Sequence, residues 1–375
     1  MKVVLTCGGT GGHINPALAV AKRLKSRDAG TEILFIGAIG GMEEDLVPRE
    51  GFRLETVPVS NYQRSPSLKN MVHNVKTARD LTQAAHLTRN ILKSFQPDVI
   101  LGTGGYASYP ALHQGQKLGI PTAVHEANAV PGLTTRMAAK NASRILVSYE
   151  ECREAYPAPE RVVVTGMPVK EAFFTTQRQT ARRALGLDDR PVILSAFGSL
   201  GARDMNHMLT QFIRLETDLD VWQHIHATGR YGWEWMPQEL VDNGVDLRLH
   251  PSIHLQEYIY NMPELMTAAD LMICRAGAST LSELAAAGLP AIIVPSPNVT
   301  NNHQERNARL LEQRGAAVVR KESECSGQTL FDLANELLSD QARLASMRSA
   351  LREIAVPDAT DRICDILEEL SHTPA

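Results

Sequence analysis

The chain has no run of 18 uninterrupted apolar residues, so no segment reads as a membrane span. Its first apolar run ends at a glycine loop and is too short for a signal peptide. Cysteine is scarce: Cys7, Cys152, Cys274, Cys325 and Cys364 lie far apart and form no C-x-x-C pair. That excludes a metal knuckle or a redox motif and predicts reduced thiols in a cytosolic protein. No cluster of His, Cys or carboxylates has metal-ligand spacing; His224 and His226 alternate on a strand-like run, but two histidines are not a site. Excess positive charge is also missing, since the net charge is −4, which argues against a nucleic-acid partner. Three familiar signatures fail as well. There is no G-x-S-x-G elbow for acyl transfer. No G-K-[ST] follows the glycines, and a dinucleotide fingerprint starting at Gly9 needs glycine where Ile14 stands.

What is present is length and alternation. At 375 residues the chain exceeds one typical domain, and its 43% hydrophobic and 21% charged residues are ordinary for a globular protein. Strand-like segments are predicted over 2–6, 32–37, 54–58, 97–101, 121–125, 144–147 and 162–165, with helices over 16–25, 42–50, 68–95, 109–118 and 132–140. Residues 166–169 read as a linker. The plan then restarts, with strands over 191–197, 222–227, 247–251, 271–274, 291–294 and 316–319, a helix over 206–214, and a largely helical tail over 328–370. This alternation predicts parallel βαβ units in an α/β fold of two Rossmann-like domains, their sheets facing an interdomain cleft. Charge divides unevenly: residues 1–165 hold 19 basic and 14 acidic side chains (+5), and residues 166–375 hold 19 and 28 (−9).

Buried strands run into glycine-rich turns at Cys7–His13 and at Gly102–Tyr106. Such loops bring backbone N–H groups close to a ligand, and the helix behind adds its positive end, suiting a phosphate or developing anion. His13 at the mouth is either a general base or a helix-start residue with a satisfied imidazole. Glu126 and Asn128, in the His125-Glu126-Ala127-Asn128 segment that ends a strand, either meet a substrate or form an Asx-type turn. In the second half, Arg275–Leu284 opens a helix after a strand. Ser279 to Glu283 is either a capped helix start or a site where amides of Ala278, Ser279, Thr280, Leu281 and Ser282 hold a diphosphate and Glu283 grips a ribose diol. Gln304, in a polar cluster beside it, is a candidate sugar ligand. The 68–95 stretch interleaves Lys69, Lys76, Arg79, Arg89 and Lys93 with Met71, Val72, Val75, Ala78 and Leu81, fitting a core face plus a solvated face or, alternatively, a contact with anionic lipid.

Five segments in order carry a resemblance: Gly8–His13, Gly102–Tyr106, His125–Asn128, Gly198–Ala202 and Arg275–Glu283. Together they resemble the bacterial peptidoglycan glycosyltransferases that form lipid II, and the resemblance covers nearly the whole chain. It implies the glycosyltransferase B fold, with an N-terminal acceptor and membrane-associating domain over 1–165, completed by a C-terminal helix over 350–372, and a UDP-GlcNAc-binding domain over 166–349. It implies inverting, metal-independent transfer of GlcNAc from UDP-GlcNAc to lipid I, with no cofactor, at the cytoplasmic face of the cell membrane and in contact with other cell-wall synthesis proteins. Carried over, Thr10, Gly11 and Gly12 reach the donor, His13 is the base with Glu126 supporting or competing, and Asn128 contacts the donor sugar. Gly104, Gly105 and Tyr106 join the substrate-binding set. Ser199 and the 278–283 segment hold diphosphate and ribose, Ile259 meets uracil, and Gln304 binds the GlcNAc. One departure is Lys170, where such enzymes often carry arginine; it keeps the charge near the diphosphate but loses the bidentate fork. The nearest rival is a UDP-GlcNAc 2-epimerase on the same fold.

Overall fold

The structure, a computed structural model, describes residues 1–59 and 68–372, with the side chains of 68–79 and of 300 excepted. The proposed roles of Lys69, Met71, Val72, Val75, Lys76, Ala78 and Arg79 therefore lie outside the described residues. The chain divides into two compact units, Met1–Val169 with Asp358–Ala375, and Lys170–Pro357.

The first unit is built on strands β1 (Lys2–Thr6), β2 (Glu32–Ala38), β3 (Arg53–Val57), β4 (Val99–Gly102), β5 (Thr122–Glu126), β6 (Arg144–Val147) and β7 (Val162–Val164). They form one sheet in the order β3-β2-β1-β4-β5-β6-β7, and every pairing is parallel. The Val3, Leu5, Phe35, Val99 and Leu101 side chains are fully buried beneath helices, as a doubly covered parallel sheet requires. Helix Ala359–Ser371 returns to this unit from the far end of the chain. Its Ile363, Cys364 and Leu367 are wholly buried in the core that includes Leu18, Ala21 and Leu24 of helix Gly11–Arg27. Outside that seam, Arg23 and Arg27 meet Asp361 at 2.7 and 2.5 Å, and Arg27 meets Asp365 at 2.6 Å.

The second unit repeats the plan with β8 (Val192–Ala196), β9 (Gln223–Ala227), β10 (Ile253–Gln256), β11 (Leu271–Cys274), β12 (Ala291–Ile293) and β13 (Ala317–Val319). Their order is β10-β9-β8-β11-β12-β13, again parallel throughout. One expected strand is corrected: 247–251 is no strand. Leu247–Leu249 is a 3₁₀ turn, because the Asp246 carboxylate accepts the Arg248 N–H at 3.0 Å and curls the alternating segment. Strand β10 begins at Ile253 instead. The first helix also starts earlier than Pro16 suggests, since the amides of His13 and Ile14 already bond to the Thr10 carbonyl at 3.0 and 3.2 Å.

In each sheet the strand order reverses once, between β1 and β4 and between β8 and β11. Ligands of open parallel sheets gather outside the carboxyl ends of strands at such switch points. The glycine turns after β1 and β4, and the turns after β8 and β11, therefore occupy the two places where this topology makes a site.

Candidate active site

In the first unit the two glycine turns are packed into one surface. Gly105 has φ +80°, and a Cβ there would stand 2.1 Å from the Gly8 carbonyl oxygen, so the loops touch backbone to backbone. The Tyr106 ring covers Gly9, and the His13 ring lies under Gly104. His13 Nδ1 is 3.2 Å from the Thr103 carbonyl oxygen, and the Thr103 hydroxyl donates to the His13 carbonyl at 2.6 Å. A carbonyl only accepts, so Nδ1 carries the hydrogen and Nε2 is the basic nitrogen. Thr103, part of the Gly102–Tyr106 turn but not named as a site residue from sequence, thus sets both the tautomer and the ring plane. Helix Gly11–Arg27 begins at Thr10 without a side-chain cap or an acidic residue in its first turn.

Glu126, at the end of β5, is buried and occupied. Its Oε1 accepts from the Asn128 amide and from Asn128 Nδ2, both at 3.0 Å, and its Oε2 accepts from the Gly132 amide at 2.8 Å. The carboxylate folds the 127–132 turn around itself. Neighbouring His125 is buried, bonds through Nε2 to the Gly166 carbonyl at 3.0 Å, and is held neutral by desolvation, which pushes its pKa down.

In the second unit the turn after β8 presents Ser199 and Leu200 to solvent, and its carbonyls at Ser199 and Leu200 accept from the Arg230 and Tyr231 amides at 3.3 Å. After β11, helix Ala278–Ala287 is capped by Gly277, not by Ser279, and no side chain closes its first turn. The capped-helix account of this segment is thereby corrected. Ser279 Oγ is buried without a hydrogen-bond partner. Glu283, half-buried on the same helix, has its carboxyl pushed up to about 7 by burial, with the Lys170 charge pulling it back. The Lys170, Glu283 and Tyr258 side chains are therefore electrostatically linked, Tyr258 being raised in turn by burial and then by Glu283. Ile259 is buried between the half-exposed Tyr258 and the exposed Tyr260. Gln304 Oε1 accepts from the Ser296 and Ala276 amides at 2.9 and 3.3 Å, so any sugar contact it makes falls to its amide NH₂. Arg275 pairs with Glu322 and reaches the Val294 carbonyl at 3.1 Å, bracing the ends of β11 and β12.

The paired histidines prove to be core. Ser195 Oγ is 2.7 Å from both His224 Nε2 and His226 Nδ1, and His224 Nδ1 meets Glu216 at 2.7 Å, all four side chains being buried. Among the described residues no group of three or more His, Cys, Asp or Glu is gathered to hold a metal ion.

Residues 3–147 match the glycosyltransferase family 28 N-terminal domain and residues 192–363 its C-terminal domain. Over 371 residues, 99% of each chain, the protein is 38% identical to the UDP-N-acetylglucosamine–N-acetylmuramyl-(pentapeptide) pyrophosphoryl-undecaprenol N-acetylglucosamine transferase of Desulforamulus reducens. The protein of that name from Acetivibrio thermocellus is 39% identical over the full length of both chains. The chain belongs to this family of glycosyltransferases. A solved member-like structure, the MurG of Acinetobacter baumannii, superposes with a TM-score of 0.74 at 27% identity, covering 98% of this chain and 99% of that one. The two Rossmann-like units are therefore the two domains of a family 28 N-acetylglucosaminyltransferase with the glycosyltransferase B fold. The UDP-GlcNAc 2-epimerase of Neisseria meningitidis also superposes, at a TM-score of 0.66, but at 16% identity it shares the fold alone.

Proposed function

We propose that the protein transfers GlcNAc from UDP-GlcNAc to the C4 hydroxyl of undecaprenyl-diphospho-MurNAc-pentapeptide by a single inverting displacement without a metal. The observation that carries this reading is the His13 tether: with Nδ1–H held on the Thr103 carbonyl, Nε2 is kept as an acceptor for a proton. The C4 hydroxyl gives its proton to Nε2 as its oxygen attacks the anomeric carbon. The bond from that carbon to the UDP oxygen breaks, and UDP leaves with the electron pair. Glu126 takes the supporting role, because its oxygens are already occupied by the 127–132 turn. Thr10, Gly11, Gly12, Gly104, Gly105, Tyr106 and Asn128 line the substrates in the first unit.

The leaving diphosphate needs fixed positive potential. The uncapped first turn of helix Ala278–Ala287 supports that role, with the amides of Ala278, Ser279 and Thr280 as donors; the Leu281 amide is already spent on the Gly277 carbonyl at 3.0 Å and the Ser282 amide lies within the helix, and Ser199 and Lys170 are assigned to the same diphosphate. Glu283 accepts the ribose hydroxyls, Ile259 meets uracil, and Gln304 meets the GlcNAc.

We place the enzyme on the cytoplasmic face of the membrane as a peripheral protein. No helix among the described residues is long and apolar enough to cross a membrane. Helix Leu133–Ala139 exposes Leu133 and Met137 one turn apart, and Leu81 and Leu87 are exposed on helix Leu68–Phe95. These exposed apolar side chains suit a lipid surface, while charge adds little, because Asp358–Ala375 brings five acidic side chains against one basic and reduces the +5 of residues 1–165 to +1 for the unit. The discriminating experiment incubates the protein with UDP-GlcNAc, with and without a lipid I analogue. UDP release that depends on the analogue supports transfer; conversion of UDP-GlcNAc in its absence makes the protein an epimerase.

A further inference from the structure

Beneath the Gly8–His13 loop lies Glu43, a fully buried carboxylate with no cation paired to it among the described residues. Its Oε1 accepts the Ala38 amide at 2.7 Å, and its Oε2 accepts the Gly9 amide at 3.4 Å. Three glycines from separate segments close around it. A Cβ at Gly8 would stand 2.7 Å from Oε1, one at Gly37 would stand 2.4 Å from Cγ, and one at Gly41 would stand 2.5 Å from the carboxyl carbon. The charge reaches the site: Glu43 contributes to raising the pKa of both Cys7 below the loop and Tyr106 above it, after burial.

A lone carboxylate is an expensive group to bury, and a neutral acceptor can satisfy two amides more cheaply. The short bond anchors the carboxyl to Ala38, and from there it reaches the loop by the longer bond to the Gly9 amide and by close packing of Oε1 against Gly8. Gly9 has φ +90° and is the turn from which Thr10, Gly11, Gly12 and His13 follow. Gly8 and Gly9 also bear the second loop, through Gly105 and Tyr106 respectively.

We propose that Glu43 is a positioning residue for the transfer reaction, clamping the Gly9 amide so that the glycine loop and His13 keep their reactive orientation. The proposal rests on the reading of His13 as the base. The test is a double-mutant cycle on the full chain with Glu43→Gln and His13→Ala, read as kcat with lipid I analogue, Kd for UDP and thermal unfolding. Glu43→Gln is expected to lower kcat at least tenfold while UDP affinity stays within twofold, because the diphosphate, ribose and uracil are assigned to Lys170, Ser199, Ile259 and 278–283 of the other unit. In the His13→Ala background the same change is expected to alter kcat less than twofold. Full kcat in folded Glu43→Gln protein, or losses that multiply in the double variant, overturns the proposal. If His13→Ala alone has normal turnover, the base assignment fails, while a kcat loss in Glu43→Gln with UDP affinity kept still supports a clamp on the loop. Should Glu43→Gln fail to fold, Gly41→Ala carries the test: its new methyl would meet the Glu43 carboxyl atoms first, at 2.5 Å, and displace them. It is expected to lower kcat with UDP affinity unchanged, and wild-type kcat overturns the clamp.

Discussion

At the scale of single residues, the account separates two groups that the sequence left level. His13 opens a helix behind a glycine turn and Glu126 ends β5, and both are titratable, so pattern alone cannot rank them. Hydrogen bonding distinguishes them: Glu126 accepts three bonds from its own turn, whereas the Thr103 carbonyl fixes the His13 tautomer with the hydrogen on Nδ1. Replacing His13 by alanine is expected to lower kcat by about 10²- to 10⁴-fold, the usual worth of a general base, with UDP affinity nearly unchanged. Steady-state turnover beside calorimetric UDP binding checks this; normal turnover removes the base. Glu283 makes a prediction in pH. Its carboxyl is raised to about 7 by burial, so near neutrality the empty protein holds a mixture of acid and carboxylate. A carboxylate accepts two ribose hydroxyls where the acid offers one good acceptor fewer. Nucleoside binding is therefore expected to tighten from pH 6 to pH 8 and to release protons at pH 7. Uridine, which has no phosphate to titrate in that range, isolates the effect in calorimetry, and Glu283→Gln is expected to flatten it. For stability the sign is opposite. The folded state holds the Glu283 proton between the ordinary carboxylate range and about 7, so this group's contribution falls as pH rises through that window.

At the scale of elements, most strands were legible because they are short, buried, largely apolar runs, such as Val99–Gly102 and Val192–Ala196, next to glycine or proline. The exception at 247–251 shows the limit of periodicity. Leu247-Arg248-Leu249 alternates like a strand, yet one side-chain-to-backbone bond from Asp246 decides the local fold. Thr103 and Glu43 were illegible for a related reason: their work is to hold backbone atoms distant in sequence, and no spacing rule encodes that. The closing helix Ala359–Ser371 shows amphipathic spacing, but spacing does not name its partner; that partner is helix Gly11–Arg27. Leu367 is fully buried in this seam, so Leu367→Ala is expected to destabilise the first unit by about 3 kcal/mol, as cavity-forming leucine truncations do. Denaturant unfolding measures the loss. UDP affinity is expected to remain, because the residues proposed for the nucleotide itself, Lys170, Ser199, Ile259 and 278–283, belong to the unit that ends at Pro357. A fall in UDP affinity matching the stability loss counts against that division of labour.

At the scale of the whole molecule, one topology is used twice, and each copy places its ligand-facing turns at the single point where its strand order reverses. That much followed from the alternation of strands and helices and from four turns after strands. Which turn serves which substrate did not follow, because a glycine loop and a helix N-terminus suit any anion. The distinction comes from the side chains set beside them, His13 in the first unit and Lys170 with Glu283 in the second. The central claim is that these two sets carry out one direct displacement between a nucleotide sugar and an acceptor hydroxyl. The anomeric configuration of the disaccharide made from α-configured UDP-GlcNAc and a lipid I analogue, in the presence of a chelator, tests it most directly by NMR. The account predicts a β-linked GlcNAc, formed with one UDP released per disaccharide; an α-linked product, or no product until a metal is restored, contradicts it.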